Sequence, residues 1–175
     1  MNLIFLDIDG VLNSVDSAVA YHNWLPKGTR AQMEDRLDPV AVGLLRRLCI
    51  EADAKIVVSS TWRMGRTGEN FIEIFRRHGW DDFPYLDKTP VRHTERGYEI
   101  QEWLDAHPEV TNYVILDDDS DMLDSQLHNF IHVSNVNGFR LKHYCKCLRL
   151  FGQPDERLEK QVNFVRQTCK GVQYV

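Results

Sequence analysis

No stretch of this chain approaches the roughly 20 consecutive apolar residues that a membrane-spanning helix requires. The opening run, Met1 to Leu6, lacks a basic region followed by a long apolar segment and a cleavage site, so it reads as a strand and not as an export signal. Cysteine is scarce and irregular, at Cys49, Cys145, Cys147 and Cys169. That spacing excludes a disulfide framework and fits a reducing cytoplasm. Cys145-x-Cys147 has no second pair at zinc-finger spacing, which favours structural thiols over a zinc site. Basic residues are in the minority, 21 Lys and Arg against 26 Asp and Glu, and the formal net charge of −5 gives the whole chain no long-range attraction to nucleic acid. Repeats, low-complexity tracts and linkers are absent too. At 175 residues, 43% hydrophobic and 27% charged, the expectation is one domain, 1–175, around one core, with no membrane and no obligate protein partner implied.

Short runs rich in Ile, Val and Leu recur between helical patterns: Leu3 to Leu6, Lys55 to Val58, Tyr113 to Leu116 and Phe130 to Val133. Such runs suit strands buried on both faces. A weaker fifth strand is expected near Phe83 to Leu86. Between the first two runs, Asp38-Pro39 reads as an N-cap followed by proline at the first helical position, with Val42, Leu45, Leu48 and Cys49 along one side. Further helices are expected from about Glu69 to His78, from Gly97 to His107, and from Asp155 to Thr168 within a C-terminal helical extension, 140–175. Alternating strands and helices imply right-handed crossovers, so the fold class is α/β: a Rossmann-like parallel sheet with helices on both faces. The segment from Asn13 to Leu37 has no clear period and is the stretch available for a small lid.

Ligands of open parallel sheets bind outside the carboxyl ends of the strands. Three of the apolar runs end in residues with chemistry: Asp7-Ile8-Asp9-Gly10-Val11-Leu12-Asn13, Ser59-Ser60-Thr61-Trp62-Arg63, and Asp117-Asp118-Asp119-Ser120-Asp121. Each has an ordinary reading taken alone. Asp-Gly makes turns, serines cap helices, and acids favour helix N-termini. Their joint placement at successive strand ends favours a shared site.

In these runs the chain resembles the haloacid dehalogenase-like (HAD) superfamily. Its first motif is an apolar strand followed by Asp-x-Asp-Gly, its second a Ser or Thr ending a strand, here Ser59, and its fourth an acidic pair or Asp-x-x-x-Asp after a strand, here from Asp117. The motifs occur in the family's order, and the resemblance spans roughly Met1 to Asn137. A closer likeness, carried by Ser-Ser-Thr-Trp-Arg, Arg96-Gly97-Tyr98-Glu99-Ile100 and Leu-Asp-Asp-Asp-Ser-Asp-Met, is to small bacterial and phage members related to phosphatase domains of RNA-repair enzymes of the Swiss Army knife type.

The resemblance implies a minimally capped HAD-type phosphatase with Asp7 as nucleophile, Asp9 as general acid and base, and Mg²⁺ as cofactor. A carboxylate attacking a phosphoryl group needs a cation beside it, and Mg²⁺ prefers oxygen ligands. The implied metal ligands are Asp7, Asp9 through its carbonyl, Asp117 and Asp118. The alternative spacing pairs Asp117 with Asp121. Ser59 matches the phosphate-holding hydroxyl, and the backbone N–H of Ser60 is a candidate second donor. Arg96 stands where the third motif places a cation, with Lys88 as the alternative, and Arg63 is a further candidate phosphate ligand. Trp24, Trp62, Trp80 and Trp103 read as packing residues. Arg140, Lys142, His143, Lys146 and Arg149 make either a solvated helix face or a nucleic-acid contact. A phosphorylated substrate is expected, a polynucleotide end or a nucleotide or phosphoprotein. A non-enzymatic phosphoacceptor of the receiver type is the reading from another class.

Overall fold

The computed structural model describes residues 1–20, 36–153 and 158. Five strands, β1 (Asn2–Leu6), β2 (Ala54–Val58), β3 (Tyr85–Lys88), β4 (Asn112–Asp117) and β5 (Phe130–His132), form one all-parallel sheet in the order β3-β2-β1-β4-β5. The helices are α1 (Val15–Ala20), α2 (Pro39–Ala52), α3 (Gly68–Arg77), α4 (Arg96–Asp105) and α5 (Leu141–Leu150). This is a Rossmann-like α/β fold.

Strand periodicity divides the core into two layers. Ile4, Leu6, Ile56 and Val58 point to one face and pack with residues of α2, α3 and α5. Leu3, Phe5, Val57 and Ile115 point to the other and meet Ile100 and Trp103 of α4. The chain steps outward from β1 to β2 to β3 with its helices on one face, then returns across the sheet to β4, and right-handed crossing places α4 on the opposite face.

Local signals explain the helix ends. The Asp38 carboxylate accepts from Val40 N at 2.9 Å ahead of Pro39, and Asp53 stops α2 in a left-handed conformation, φ 45°. The strand expected at Phe83 to Leu86 begins instead at Tyr85. Phe83 is drawn into the core, stacked on Phe75 at 3.8 Å between ring centroids, and Pro84 has no N–H for the ladder. Helix α4 ends at Asp105, short of the expected His107. The basic stretch is α5, with His143, Tyr144, Cys147 and Leu148 buried and Lys142, Lys146 and Arg149 exposed. Cys49, Cys145 and Cys147 are not in disulfides among the described residues.

Of the expected lid, α1 and residues from Arg36 onward are described. Residues 21–35, Trp24 among them, and the expected helix from Asp155 to Thr168, apart from residue 158, lie outside the described residues. Among the described residues no helix is long and apolar enough to cross a membrane.

Candidate active site

The three polar runs meet at the carboxyl end of the sheet because β1 lies between β2 and β4. Asp7 N donates to Leu116 O at 2.9 Å, and Ser59 N donates to Leu6 O at 3.0 Å, so both neighbouring strand ends are tied to the end of β1. Carboxylate oxygens of Asp7, Asp117 and Asp118 all lie within 4.8 Å of one another. Asp7 is 5% exposed and Asp117 fully buried. One Asp117 oxygen accepts from Asp119 N at 3.0 Å, whereas the other, Oδ2, has no hydrogen-bond partner.

Burial pushes Asp7 up to about 6, although Arg96 and a hydrogen bond from Ser60 pull the other way. Burial and the adjacent Asp7 push Asp117 up to about 8, and burial with Asp119 also raises Asp118. A group of desolvated carboxylates with an unsatisfied oxygen is matched to a hard cation, whose charge would offset all three shifts. The glycine after Asp9 is needed for this packing. Gly10 has φ +74°, and a Cβ there would come within 2.3 Å of the Asp118 carboxylate.

Asp9 stands apart from the cluster and is held from both sides. Asn13 Nδ2 donates to Asp9 Oδ1 at 2.8 Å, and the Trp62 indole N–H donates to Asp9 Oδ2 at 2.8 Å. Gly10 N in turn donates to Asn13 Oδ1 at 2.8 Å. A carboxylate fixed in this way has a defined direction for proton transfer.

Arg96 reaches the cluster from the first residue of α4. Its Nη1 donates to Asp7 Oδ1 at 3.2 Å and to the Ser59 carbonyl, and lies 3.6 Å from Asp117 Oδ2. Asp121 anchors that helix end, accepting from Arg96 N at 2.7 Å on its carboxylate and from Gly97 N at 3.1 Å on its carbonyl. Gly97 allows the approach, since a Cβ would lie 2.6 Å from Leu123 N. Asp121 is therefore outside the carboxylate cluster that Asp118 joins. Lys88 is turned to backbone carbonyls, 2.7 Å from Arg66 O.

Two of the expected phosphate donors are engaged within the protein. The Ser60 backbone N–H donates to Leu6 O at 3.2 Å. Arg63 is 2% exposed and all five of its N–H groups have acceptors within the protein: Nε to Thr89 O, Nη1 to Ser59 O and Ser60 O, Nη2 to Pro90 O and the Glu99 carboxylate. No donor remains for a phosphate ligand. The Ser59 hydroxyl is the contrasting case, fully buried and without a hydrogen-bond partner.

A family model described as the HAD domain in Swiss Army Knife RNA repair proteins matches residues 3–144. The chain belongs to this HAD family. No curated protein and no solved structure gives a significant match. This HAD domain has a cleft of about 420 Å³ lined by Asp9, Gly10 and Asp118, by Val15 and Ala18 of α1, and by Asn135 from the loop after β5. That loop pins α1, through Val15 N to Asn135 O at 3.0 Å and Asp16 N to Val136 O at 2.9 Å.

Sequence reasoning gave no role to Asn13 or Glu99 and read Trp62 only as a packing residue. The signal for Glu99 was present: an acid on the same helical stripe as Ile100 and Trp103 is directed into the core and requires a partner there. Trp62 and Asn13 offered only their nearness to the motifs.

Proposed function

We propose that this HAD domain is a magnesium-dependent phosphomonoesterase that works through an aspartyl-phosphate on Asp7. The observation that carries the reading is the gathering at one edge of the sheet of a buried acidic cluster, an arginine bonded to Asp7 and a buried serine hydroxyl without a hydrogen-bond partner, with a second, separately oriented carboxylate lining a cleft. Asp7, Asp117 and Asp118, with the Asp9 carbonyl, would hold Mg²⁺. When bound, the ion neutralises the carboxylates and the phosphoryl oxygens that approach them.

An Asp7 oxygen forms a bond to phosphorus as the bond to the leaving oxygen breaks. Asp9 gives its proton to that oxygen. Arg96 and the Ser59 hydroxyl hold the equatorial phosphoryl oxygens, where charge is spread in the transition state. Asp9, now a carboxylate, takes a proton from water as the water oxygen bonds to phosphorus, and the Asp7–phosphorus bond breaks to release orthophosphate.

The leaving group occupies the cleft beyond Asp9. We assign a terminal phosphate of a polynucleotide as the substrate, because the family is that of RNA-repair proteins and the segment leading into the basic helix α5 is bonded to the loop after β1. Phe139 N donates to Val11 O at 2.7 Å, which brings Arg140 near the site, where it pairs with Asp38 at 2.7 Å. Lys142, Lys146 and Arg149 continue a basic face away from it. The cleft volume also suits a single nucleoside, so a nucleotidase is the second reading. The reduced cysteines fit a cytoplasmic setting.

The deciding assay measures phosphate release from 3′- and 5′-phosphorylated oligonucleotides, matching mononucleotides and phosphopeptides, with Mg²⁺ and with EDTA. We expect many turnovers per chain, silence in EDTA, loss with Asp7→Asn, and a higher kcat/KM for oligonucleotides whose KM rises steeply with salt through counterion release. Equal or better turnover of mononucleotides at low salt makes the protein a nucleotidase. A single stoichiometric phosphorylation without release makes it a phosphoacceptor module.

A further inference from the structure

Arg63 and Glu99 form an ion pair whose side chains are 2% and 5% exposed. Around it one guanidinium gathers three separate parts of the chain. It donates to the Ser59 and Ser60 carbonyls at the end of β2, to Thr89 O and Pro90 O after β3, both at 3.1 Å, and to Glu99 on α4. The other Glu99 oxygen accepts from Arg92 N at 3.1 Å, so the carboxylate also holds the segment leading into α4.

Arg96 lies one helical turn before Glu99, and its guanidinium donates to the same Ser59 carbonyl that Arg63 holds. Both clamped loops carry a buried hydroxyl with no hydrogen-bond partner, Ser59 Oγ and Thr89 Oγ1. A buried ion pair seldom adds net stability over well-packed apolar residues, because desolvating two charges offsets their attraction. Its role here is better explained by geometry. Only a rigid planar fork meets five acceptors in fixed directions, and lysine cannot replace it.

We infer that the Arg63–Glu99 pair is a positioning device that sets Arg96 on α4 against Ser59 on the β2 loop, so that both address one phosphoryl group beside Asp7. Arg63 and Glu99 act through Arg96 and Ser59 and touch no substrate. The inference rests on the phosphatase reading for the site's chemistry. Its geometry can be tested without turnover.

The test compares wild type with Glu99→Gln, Glu99→Ala and Arg63→Lys. Calorimetry measures the affinity for inorganic phosphate with Mg²⁺ present and for Mg²⁺ alone, thermal unfolding checks the fold, and kcat and KM are read on a phosphorylated oligonucleotide. Misplacing catalytic groups by about 1 Å costs on the order of a hundredfold, so Arg63→Lys and Glu99→Ala should weaken phosphate binding and kcat/KM by about ten- to a hundredfold. Mg²⁺ affinity should not fall with that for phosphate, because the carboxylate cluster is built on β1 and β4 and a displaced Arg96 would leave Asp7 and Asp117 with one cation fewer beside them. Glu99→Gln, which keeps the shape but only one of the two acceptors, should lose less than Glu99→Ala. Wild-type phosphate affinity in a folded Arg63→Lys or Glu99→Ala overturns the inference. So does equal weakening of phosphate and Mg²⁺, or unfolding of all three variants, which would make the pair a stability element. Phosphate binding by wild type without turnover would sink the phosphatase reading and leave this test intact.

Discussion

Two regions of this molecule are equally buried and oppositely built. Under α3, Phe75 stacks on Phe83, and Trp80 stands edge-on to both at 5.6 and 5.0 Å between centroids. That cluster sets apolar surface against apolar surface. At the carboxyl end of the sheet, Asp7, Ser59 and Asp117 are as hidden from water, yet one carboxylate oxygen and one hydroxyl have no partner and two carboxylates are held close together. Burial stabilises the first region and works against the second, a cost that the proposed cation and phosphoryl group would relieve. The contrast shows where folding free energy is gathered and where it is given up for chemistry.

The strongest way to separate the regions is to open a cavity in the aromatic one. Phe75→Ala should cost about 3–5 kcal/mol, read as a fall in the urea midpoint, while the folded fraction keeps its kcat. A change below about 1 kcal/mol would mean that the aromatic cluster is not the stabilising region.

Asp117→Asn should do the reverse. Asp7 and Asp117 have folded pKa values of about 6 and 8, above the ordinary carboxylate value of 3.8. The folded protein then binds more protons than the unfolded one between about pH 4 and pH 8, so their contribution is present at low pH and lost as pH rises through this window. In EDTA at pH 8, Asp117→Asn should therefore raise stability by about 1–3 kcal/mol while turnover in Mg²⁺ falls below detection. A variant less stable than wild type under those conditions would break the comparison.

Trp62→Phe gives the smallest effect and the sharpest one. Removing one hydrogen bond to Asp9 should slow turnover by about tenfold, near 1.4 kcal/mol, and slow poor leaving groups more than activated aryl phosphates. The indole ring also lies in the core, so the melting temperature must be measured beside the rates. Equal slowing for all leaving groups would indicate that Trp62 only packs.

Strand and helix identities were legible because each depends on neighbours in the chain. Asp38-Pro39 starts α2, the apolar runs make β1, β2 and β4, and the acid and serine at their ends fall on the ligand-binding edge of any parallel sheet. The one displaced strand, β3, moved because Phe83 found aromatic partners contributed by α3 and the turn after it, a choice that no local period contains. The candidate site divides in the same way. Asp7, Asp9, Ser59 and the acidic run could be read from their strands.

What the sequence by itself determined is thus the α/β alternation, the motif order and the carboxylates available for a metal. Only the tertiary structure decided which of the arginines faces the site and which of the acids joins Asp117. Arg63 and Arg96 are alike in chemistry and both stand near motif residues. The crossover to α4 places one against Asp7, whereas the other is enclosed by five internal acceptors. Asp118 and Asp121 separate for the same reason, one beside Gly10 and the other under the N-terminus of α4. These partners are tens of residues apart in the chain, and their pairing is set by which strand ends and helix ends the packed sheet brings within hydrogen-bond reach.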